Sequence, residues 1–537
     1  MRKKYKSKRI NLLGIILLLI VVVVGVGTWG YFSKFRVIPL EVKKFESDWP
    51  TANQNYSNTR SAVGSSINLS NISKLGVSWS SPISGVSEWG AATTNPLILG
   101  NTVYFQDLKS NVYAVDFTSG KQIWKKEYDL DIAGPSGVAV GYGKIFAVKG
   151  HYDVVALDLK GNELWSTNLS NNQNIGIDIQ PVVYGNKVYV STVPGISNDN
   201  FYKGGSIGII YALNVWDGSV EWMFNTVDTA DIWGNIDVNS GGGAWYPPAI
   251  DTKTGSLYWG IGNPAPWPGT SEFPNGTSRP GPNLYTNSLV SLDHSDGKLL
   301  WYNQILPHDL FDYDLEVSPI LATVSVDGVP KDVVFGAGKM GKVYAFDRKD
   351  GKKIWEVSVG EHLNDTLTSL PLGITKVSPG PLGGVETSMA YADGILYVPV
   401  VNLAVSYTPS ELVISSFNLS KGKGELVAID ASTGKILWNN EFNSINVGAA
   451  TVVNDLVFTS TYDGKIYAFN SKKGNLVWEY QAPGGINGWP AVKDDTIIFP
   501  VGLGKTPVLL SFKIGSDLTK SVNSTFPAAG VGKGFQQ

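Results

Sequence analysis

The stretch Val112–Trp124, VYAVDFTSGKQIW, decides the fold because it is one copy of a motif that recurs along the chain. Two short apolar segments flank an Asp-x-x-x-Gly turn, which is the pattern of a β-hairpin. Glycine supplies the positive φ that such a turn needs, and the aspartate can bind the turn's backbone amides. The motif therefore predicts two antiparallel strands, the second of which carries a tryptophan.

Seven full copies of the motif explain the high tryptophan content of the chain. They end at Trp124, Trp165, Trp222, Trp301, Trp355, Trp438 and Trp478. Further short strands with Gly, Asn or Asp turns lie between the copies, as in PVVYGNKVYVST, so each unit has about four strands, the size of one propeller blade. We expect these tryptophans to pack between adjacent sheets as core residues.

Incomplete copies near the two ends of the chain predict how the ring closes. GVSW, ending at Trp79, has only the last strand of the motif, and PVLLSFKIG near the C-terminus lacks the tryptophan. Pairing the two would join the first and last strands into one composite blade. We therefore predict an all-β, eight-bladed β-propeller over residues 45–518, in place of the several domains that a chain of this length ordinarily forms.

The N-terminus has the pattern of a membrane anchor. Residues 1–9 contain six Lys and Arg, and the apolar run over residues 10–32 is long enough to cross a ~30 Å hydrocarbon core as a helix. The basic residues before the run outnumber the two after it, which predicts a cytoplasmic N-terminus. We predict a transmembrane signal anchor over 10–32, a stalk over 33–44, an extracytoplasmic, single-pass propeller and a flexible tail over 519–537. A buried core helix is the alternative for the apolar run.

Charge and composition exclude several classes of function. The chain has 46 acidic and 43 basic residues, and eight of the basic ones lie in the first 40 positions, which contain no acid. The propeller is therefore acidic, which argues against nucleic-acid binding. The chain has no cysteine, so disulfides and thiolate metal sites are excluded.

The segment PHDLFDYD, residues 307–314, crowds three carboxylates and a histidine directly behind a predicted strand, LLWYNQIL. That strand carries the tryptophan of one repeat, so the acids emerge in a loop at the end of a blade, where propellers build sites. The residues alone leave three explanations open: a solvated turn, a metal site or a catalytic base.

The tryptophan repeat and the segment DWPTANQNYSNTRSAVGSS resemble the quinoprotein alcohol dehydrogenases, which bind pyrroloquinoline quinone (PQQ). The resemblance covers the chain beyond the stalk, but non-enzymatic propellers such as the outer-membrane assembly factors share the repeat. The resemblance implies PQQ and Ca²⁺ as cofactors. It also implies oxidation of an alcohol, aldehyde or sugar by hydride transfer to the quinone.

Two candidate site residues lie in GGGAWYPPAIDTKTGSLYWGIGNPAPWPG, which is similar to the family's cofactor and metal loop. By this resemblance Trp245 stacks under the quinone, for which an indole offers a large π-face. The alternative is one more core tryptophan. Asn263 matches a calcium ligand with a suitable amide oxygen, and a turn residue is the alternative.

The catalytic residues follow from two further matches. PHDLFDYD resembles the family's PHDxWD sequence with Phe311 for Trp, which makes Asp312 a metal ligand and the base that takes the proton from the substrate hydroxyl. GKMGKVYAFDR places Lys339 where the family has a basic residue beside the quinone carbonyls, where it would stabilise developing charge. An exposed turn lysine is the alternative.

The other residues of PHDLFDYD receive lesser roles. The resemblance places Leu310 where lanthanide-dependent members carry an extra aspartate, which favours calcium. His308 and Asp309 are predicted to be structural, bonding the loop that aims Asp312. Asp314 is predicted to be solvated.

The positions that bind the cofactor's carboxylates in the family differ in this chain. The family's glutamate calcium ligand is missing, an arginine and a glutamate are replaced by Ser136 and Thr93, and an Asn-Trp pair is replaced by Val385-Glu386. Asn198 or Asp199 is the candidate substitute for the missing ligand, and Glu386 could restore a lost charge or ligand at the inner rim. The catalytic half of the site is thus retained while its cofactor-carboxylate half is rewritten.

Two classes of function therefore compete. An enzyme would need a separate electron acceptor, such as a cytochrome, a copper protein or a membrane quinone, because the chain has no Cys-x-x-Cys-His haem motif. A non-catalytic propeller would instead serve as a binding or assembly scaffold for a polypeptide or glycan. Joint retention of Trp245, Asn263, Asp312 and Lys339 favours the enzyme, and the missing Glu and Arg favour the scaffold.

Overall fold

A computed structural model describes residues 37–132, 134–170, 175–195 and 204–516. The predicted anchor over 10–32 and the predicted tail over 519–537 lie outside these ranges. Within them, no helix combines the length and the apolar character that crossing a membrane requires. The helical elements are short: an α-helix over Leu40–Lys44, and 3₁₀ turns over Ile72–Lys74, Pro274–Gly276, Ile414–Ser416 and Leu419–Lys421.

In the described residues the strands form eight sheets, each with four antiparallel strands and two with a fifth strand added, which confirms the predicted all-β, eight-bladed propeller. Blade 1 contains Leu97–Leu99, Thr102–Gln106, Val112–Asp116 and Gln122–Lys126. Blade 2 contains Ala139–Gly141, Lys144–Lys149, Asp153–Asp158 and Glu163–Asn168. Blade 3 contains Val182–Tyr184, Lys187–Pro194, Ile209–Asn214 and Val220–Asn225, with Ile175–Ile177 as an added strand. Blade 4 contains Ala249–Asp251, Ser256–Gly260, Ser288–Asp293 and Leu299–Gln304.

The other four blades repeat this order of strands. Blade 5 contains Ile320–Val326, Val329–Gly338, Lys342–Asp347 and Lys353–Ser358. Blade 6 contains Ala390–Ala392, Ile395–Asn402, Lys423–Asp430 and Ile436–Phe442. Blade 7 contains Thr451–Val453, Leu456–Ser460, Lys465–Asn470 and Leu476–Gln481, with Ser61–Ala62 added in parallel. Blade 8 contains Ala491–Lys493, Thr496–Val501, Val508–Ile514 and Leu75–Pro82. Two-stranded ribbons join Ser240–Gly241 to Pro264–Ala265 and Thr375–Val377 to Val405–Tyr407.

Blade 8 closes the ring in the predicted manner. Leu75–Pro82, from the beginning of the propeller, pairs antiparallel with Val508–Ile514 from its end. The ladder contains a register shift between Val77 and Trp79. The first and last strands of the propeller are therefore hydrogen-bonded neighbours.

Trp79 and six of the seven repeat tryptophans dock on the turn of the following blade, and Trp478 packs edge-on against Phe512 of blade 8. Trp79 Nε1 donates to the Phe117 carbonyl, and six further tryptophans make the same bond to the next blade, at 2.9–3.3 Å. The turn glycines have φ between 68° and 86°. A Cβ atom on any of them would lie 2.3–3.0 Å from its nearest neighbour, in most cases the docked indole. The motif thus encodes both the turn inside a blade and the contact between blades, and the predicted core role of the tryptophans is confirmed.

The segment over residues 49–66 crosses one end of the ring, and we call it the N-terminal strap. Its backbone carbonyls accept hydrogen bonds from the first strands of blades 4, 5, 6 and 7, at Ile250, Leu321, Tyr391 and Val452. At its centre lies Arg60, which is completely buried. Because one short segment bonds to four blades, the strap ties the ring together near its axis.

Candidate functional site

The loop that follows blade 4 is fixed by the carboxylate of Asp309. This carboxylate is fully buried and accepts hydrogen bonds from the Phe311 and Tyr313 backbone amides at 2.7 and 2.6 Å. Arg279, also buried, donates to the Asp309 carbonyl at 2.5 Å. Between the two bonded amides, Asp312 takes a left-handed φ of 66°. Asp309 therefore has the structural role that the sequence predicts.

His308 also bonds within the loop region. Its Nε2 lies 3.1 Å from the carbonyl oxygen of Asn275, in the long loop between the second and third strands of blade 4. Burial, and the positive charge of nearby Arg279, lower the pKa of His308. A neutral imidazole bonded to backbone suits a structural role.

Asp312 forms a buried ion pair with Lys339. Nζ of Lys339 lies 2.9 Å from Asp312 Oδ2 and 2.5 Å from Asp314 Oδ2. Lys339 is only 7% exposed, which excludes an exposed turn lysine. Burial alone would lower the pKa of Lys339, but the carboxylates around it raise that pKa well above its ordinary value. Lys339 is therefore a fixed positive charge beside Asp312.

Acidic and apolar residues alternate along residues 311–316. Phe311, Tyr313 and Leu315 pack into one hydrophobic cluster. The acids between them are Asp312, Asp314 and Glu316. All three are buried, and all three raise the pKa of Lys339. Burial raises the pKa of both Asp312 and Glu316 well above the ordinary values, and Lys339 opposes this rise.

One prediction about this stretch is wrong. Asp314 is fully buried and not solvated, because its Oδ1 accepts the Asn263 backbone amide at 2.5 Å while its Oδ2 pairs with Lys339. Leu310 is buried in the hydrophobic cluster beside Phe311, where its side chain packs as core. A leucine side chain offers no metal ligand, so the preference for calcium that Leu310 suggests stays a prediction.

Glycines let three chain segments meet at Asp314. A Cβ atom on Gly338 would lie 1.8 Å from the Asp314 carbonyl oxygen, and one on Gly262 would lie 2.5 Å from Asp314 Oδ1. At Gly338 the obstacle is backbone, which cannot rotate away as a side chain can. The end of the second strand of blade 5 thus approaches the loop closely enough for Lys339 to donate its backbone amide to Asp314 at 3.0 Å.

We expect Gly338→Ala to push Lys339 away from Asp312 and to lower the melting temperature. Overpacking of this kind costs about 1–3 kcal/mol. Thermal unfolding measures the change. Gly336→Ala is the matched control in the same strand, since its Cβ would make only ordinary contacts at 3.7 and 3.8 Å. Equal melting temperatures for the two variants would contradict the assigned role of Gly338.

Trp245 and Asn263 lie next to Asp314, although they are distant from it in sequence. The Asn263 side-chain amide donates to the Pro264 carbonyl at 3.0 Å, which leaves its oxygen available as a ligand. A Cβ on Gly262 would lie 3.1 Å from Trp245 Nε1 as well as 2.5 Å from Asp314 Oδ1. The indole edge and the carboxylate therefore flank the same glycine. The structure brings all four predicted site residues into one cluster.

The indole of Trp245 differs from those of the repeat tryptophans. It is half-buried and packs against a small cluster that includes Tyr246 and Trp489. Its Nε1 is buried and has no hydrogen-bond partner in the part of the chain that the structure describes. Unlike the repeat tryptophans, Trp245 is not docked on a neighbouring blade's turn.

A cavity of ≈ 210 Å³ adjoins the cluster. Tyr246 and Trp489 form one wall, with stacked rings whose centroids are 5.6 Å apart. Four lining side chains carry a buried polar atom that bonds to no described residue: Thr93, Glu386, Thr387 and Asn487. Each such group costs about 1–3 kcal/mol. The cavity therefore suits a flat ligand that carries several polar atoms.

Two of the positions that differ from the family pattern line this cavity. Thr93 and Glu386 line it, as do Gly134 and Pro135, whereas Val385 is buried in a hydrophobic cluster. Ser136 is 1% exposed, and its Oγ has no partner among the described residues. No Lys or Arg is among the described residues that line the cavity. Asn198 and Asp199 lie outside the described ranges.

Two buried acids were not anticipated. Asp178 is 1% exposed, its Oδ1 bonds to no described residue, and burial raises its pKa well above the ordinary value. Nothing in its local sequence sets it apart from the surrounding apolar strand. Glu316 could have been found, because Asp-x-Asp-x-Glu over 312–316 places acids at every second position, the spacing of one face of an extended chain.

Two protein families match parts of this chain. The glucose/ethanol/alcohol dehydrogenase β-propeller domain matches residues 49–362. A second family, the outer-membrane protein assembly factor BamB, matches residues 339–509. Trp245, Asn263 and Asp312 lie only within the first match.

Known relatives of this chain carry dehydrogenase names. The quinohemoprotein alcohol dehydrogenase of Comamonas testosteroni is 26% identical over 513 residues, which cover 83% of this chain and 70% of that protein. The lanthanide-dependent methanol dehydrogenase of Methylacidiphilum fumariolicum is 26% identical over 529 residues, covering 84% and 83%.

Solved structures share the fold. The crystal structure of the Comamonas testosteroni enzyme matches with a TM-score of 0.77 at 22% identity, covering 93% of this chain and 84% of that one. A europium-containing methanol dehydrogenase matches with a TM-score of 0.74 at 21% identity, covering 88% and 100%.

Proposed function

Because the chain belongs to the glucose/ethanol/alcohol dehydrogenase β-propeller family, we propose that it is a PQQ-dependent dehydrogenase that oxidises an alcohol, aldehyde or sugar. The observation that carries this proposal is the buried pair of Asp312 and Lys339, assembled beside Trp245 and Asn263 from three separate segments. A surface scaffold would have no need of such a buried charge pair, since burying charges is costly.

The residues present fit a quinone cofactor. The unpartnered indole of Trp245, the stacked wall of Tyr246 and Trp489, and the orphaned polar atoms of the cavity suit a flat, oxygen-rich molecule. When bound, PQQ supplies the two-electron acceptor that takes up a hydride from the substrate carbon. Trp245 and Lys339 are the residues that would hold it.

Asp312 acts as the general base in this proposal. Its carboxylate would accept the proton of the substrate hydroxyl. Lys339 holds Asp312 at 2.9 Å and offers a positive charge where negative charge develops. The backbone bonds of Asp309 keep the loop rigid, so the base is positioned before the substrate arrives.

A metal cation would complete the site. We propose that Asn263 and Asp312 hold Ca²⁺, whose 6–8 oxygen ligands would be completed by the cofactor and water. Within the described ranges, no three His, Cys, Asp or Glu side chains converge as a complete metal cage. Buried Asp314 adds a carboxylate, and two relatives are named as lanthanide-dependent, so the metal titration compares Ca²⁺ with La³⁺.

We also propose that the propeller is held outside the cytoplasm by an anchor over residues 10–32. The basic residues before that apolar run support this placement. Electrons would leave through a separate carrier, a cytochrome, a copper protein or a membrane quinone, since the chain lacks the cysteines of a c-type haem site.

A non-catalytic scaffold is the second candidate. The match of residues 339–509 to the assembly factor family favours it. That match omits Trp245, Asn263 and Asp312, so it does not account for the buried site.

Addition of PQQ and Ca²⁺ to the purified full-length chain in detergent is expected to quench tryptophan fluorescence and to produce alcohol-dependent dye reduction. Quenching is expected because Trp489 lines the cavity and Trp245 lies beside it. Omission of PQQ is the control, and La³⁺ replaces Ca²⁺ in a parallel titration. Absence of both quenching and turnover over a panel of primary alcohols, aldehydes and sugars would exclude the dehydrogenase and leave the scaffold.

A further inference from the structure

Glu386 is held between the catalytic pair and the cavity. The residue before it, Val385, donates its amide to the Gly338 carbonyl at 3.0 Å, directly before Lys339. A Cβ on Gly384 would lie 2.2 Å from the Lys339 carbonyl oxygen, so the two backbones are in close contact. On the other side, the Tyr246 hydroxyl donates to the Glu386 carbonyl at 2.6 Å. The position of Glu386 is thus fixed from both sides.

One oxygen of the Glu386 carboxyl group has no partner among the residues that the structure describes. Glu386 lines the cavity, and its Oε1 is buried and bonds to no described residue. Thr387, 2% exposed, lines the same wall and also carries an orphaned oxygen. Two adjacent residues therefore present unsatisfied polar atoms to the same space.

The cavity lacks the positive charge that an anionic ligand ordinarily requires. Its described lining contains the acids Glu88 and Glu386 but no Lys or Arg. The cation beside it, Lys339, is already paired with Asp312 and Asp314 at 2.9 and 2.5 Å. A ligand with carboxylate groups, as PQQ has, must therefore be received by neutral donors.

A protonated carboxylic acid is such a donor, whereas a carboxylate is an acceptor only. Burial raises the pKa of Glu386 to about 8, with Lys339 opposing and Asp314 assisting the rise. The other titratable groups around it are Glu316 and Tyr246, with Glu88 and Tyr462 on the cavity lining. Below pH 8 the group is mainly neutral, and it becomes anionic as the pH rises through that value.

We propose that Glu386 binds the cofactor as a neutral carboxylic acid, donating a hydrogen bond from its carboxyl group to a carboxylate oxygen of PQQ. Glu386 then takes over the role that a cation would otherwise have in holding that carboxylate. Thr93, Thr387 and Asn487 lie on the same cavity and satisfy further polar atoms of the ligand. This inference rests on the proposed PQQ-dependent function.

The test is the affinity for PQQ, measured by tryptophan quenching in the full-length chain at pH 6.5 and pH 9, with and without Ca²⁺. Wild-type affinity is expected to fall at least tenfold at the higher pH, because an ionised Glu386 repels the ligand's carboxylate. Glu386→Gln keeps a neutral donor and is expected to bind almost equally at both pH values. Asp296→Asn, which removes an exposed carboxylate outside the cavity, is expected to follow the wild type. Melting curves at both pH values confirm that each variant is folded.

The outcomes separate the two proposals. No quenching in any variant at either pH would refute both the PQQ-dependent function and the role of Glu386. Quenching with the same pH dependence in wild type and Glu386→Gln would refute the role of Glu386 alone. A gain in affinity on adding Ca²⁺ at pH 9 that the wild type shows and Glu386→Gln does not would identify Glu386 as a metal ligand and overturn its role as a hydrogen-bond donor.

Discussion

Asp312→Asn is expected to lower alcohol-dependent dye reduction by about 10²–10⁴-fold, the usual contribution of a general base, while PQQ still quenches tryptophan fluorescence. The amide has nearly the same shape as the carboxylate and still accepts a hydrogen bond from Lys339, but it cannot take up a proton. Lys339 also retains its ion pair with Asp314 at 2.5 Å. The loss should therefore fall on turnover and not on folding or cofactor binding.

The control for this variant is Asp296→Asn, in the exposed turn of the same blade, where the carboxylate only accepts the Lys298 amide at 3.0 Å. Its activity should equal that of the wild type. Turnover by Asp312→Asn within tenfold of the wild type would show that another group accepts the proton. Loss of quenching together with turnover would instead make Asp312 chiefly a binding residue.

Arg60→Met is expected to produce the largest loss of stability, about 3–5 kcal/mol in the free energy of unfolding. The guanidinium is completely buried and donates five hydrogen bonds of 2.9–3.2 Å, two of them to the backbone carbonyls of Ala450 and Pro490. It also lies 5.3 and 5.7 Å from the rings of Trp49 and Trp489. Methionine fills similar space but leaves all five acceptors without their donor.

Denaturant unfolding measures this loss, with Lys43→Met as the control in the exposed part of the N-terminal segment. The control should change the free energy of unfolding by no more than about 0.5 kcal/mol. A similar change in both variants would mean that the strap adds little to the stability of the ring.

The ring was predictable because its interactions repeat. The Asp and Gly of a motif copy form one turn at a fixed spacing along the chain. The Trp contacts the corresponding turn of the next blade. Reading one copy, such as Val112–Trp124, therefore gave the rule for all of them. Closure through Leu75–Pro82 followed from the incomplete copies at the two ends.

The site was predictable only where a segment resembled a family pattern. Asp312, Lys339, Trp245 and Asn263 were found in that way, and the structure brings them together. The burial of Asp314 was missed because its partners, Asn263 and Lys339, come from other segments. No local pattern in the sequence records such contacts.

Asp178 illustrates the same limit, and Glu386 was singled out only because it replaces a residue of the family pattern. An aspartate between two isoleucines has no distinctive local sequence. The roles of both residues depend on burial and on the pKa that burial produces, and that of Glu386 also on the absence of cations from the described cavity lining. These properties arise from blades that are distant in the chain.

The pairing of Leu75–Pro82 with Val508–Ile514 has a consequence for how the chain folds during its synthesis. A ribosome that adds ~5–20 residues per second makes the earlier strand on the order of a minute before its partner. During that interval Leu75–Pro82 has no partner strand. Long-range pairing of this kind is slow, and an unpaired strand can pair with other chains and aggregate. Its final hydrogen bonds can form only when almost the entire chain has been made, so a truncated product lacking residues 508–514 cannot close its ring.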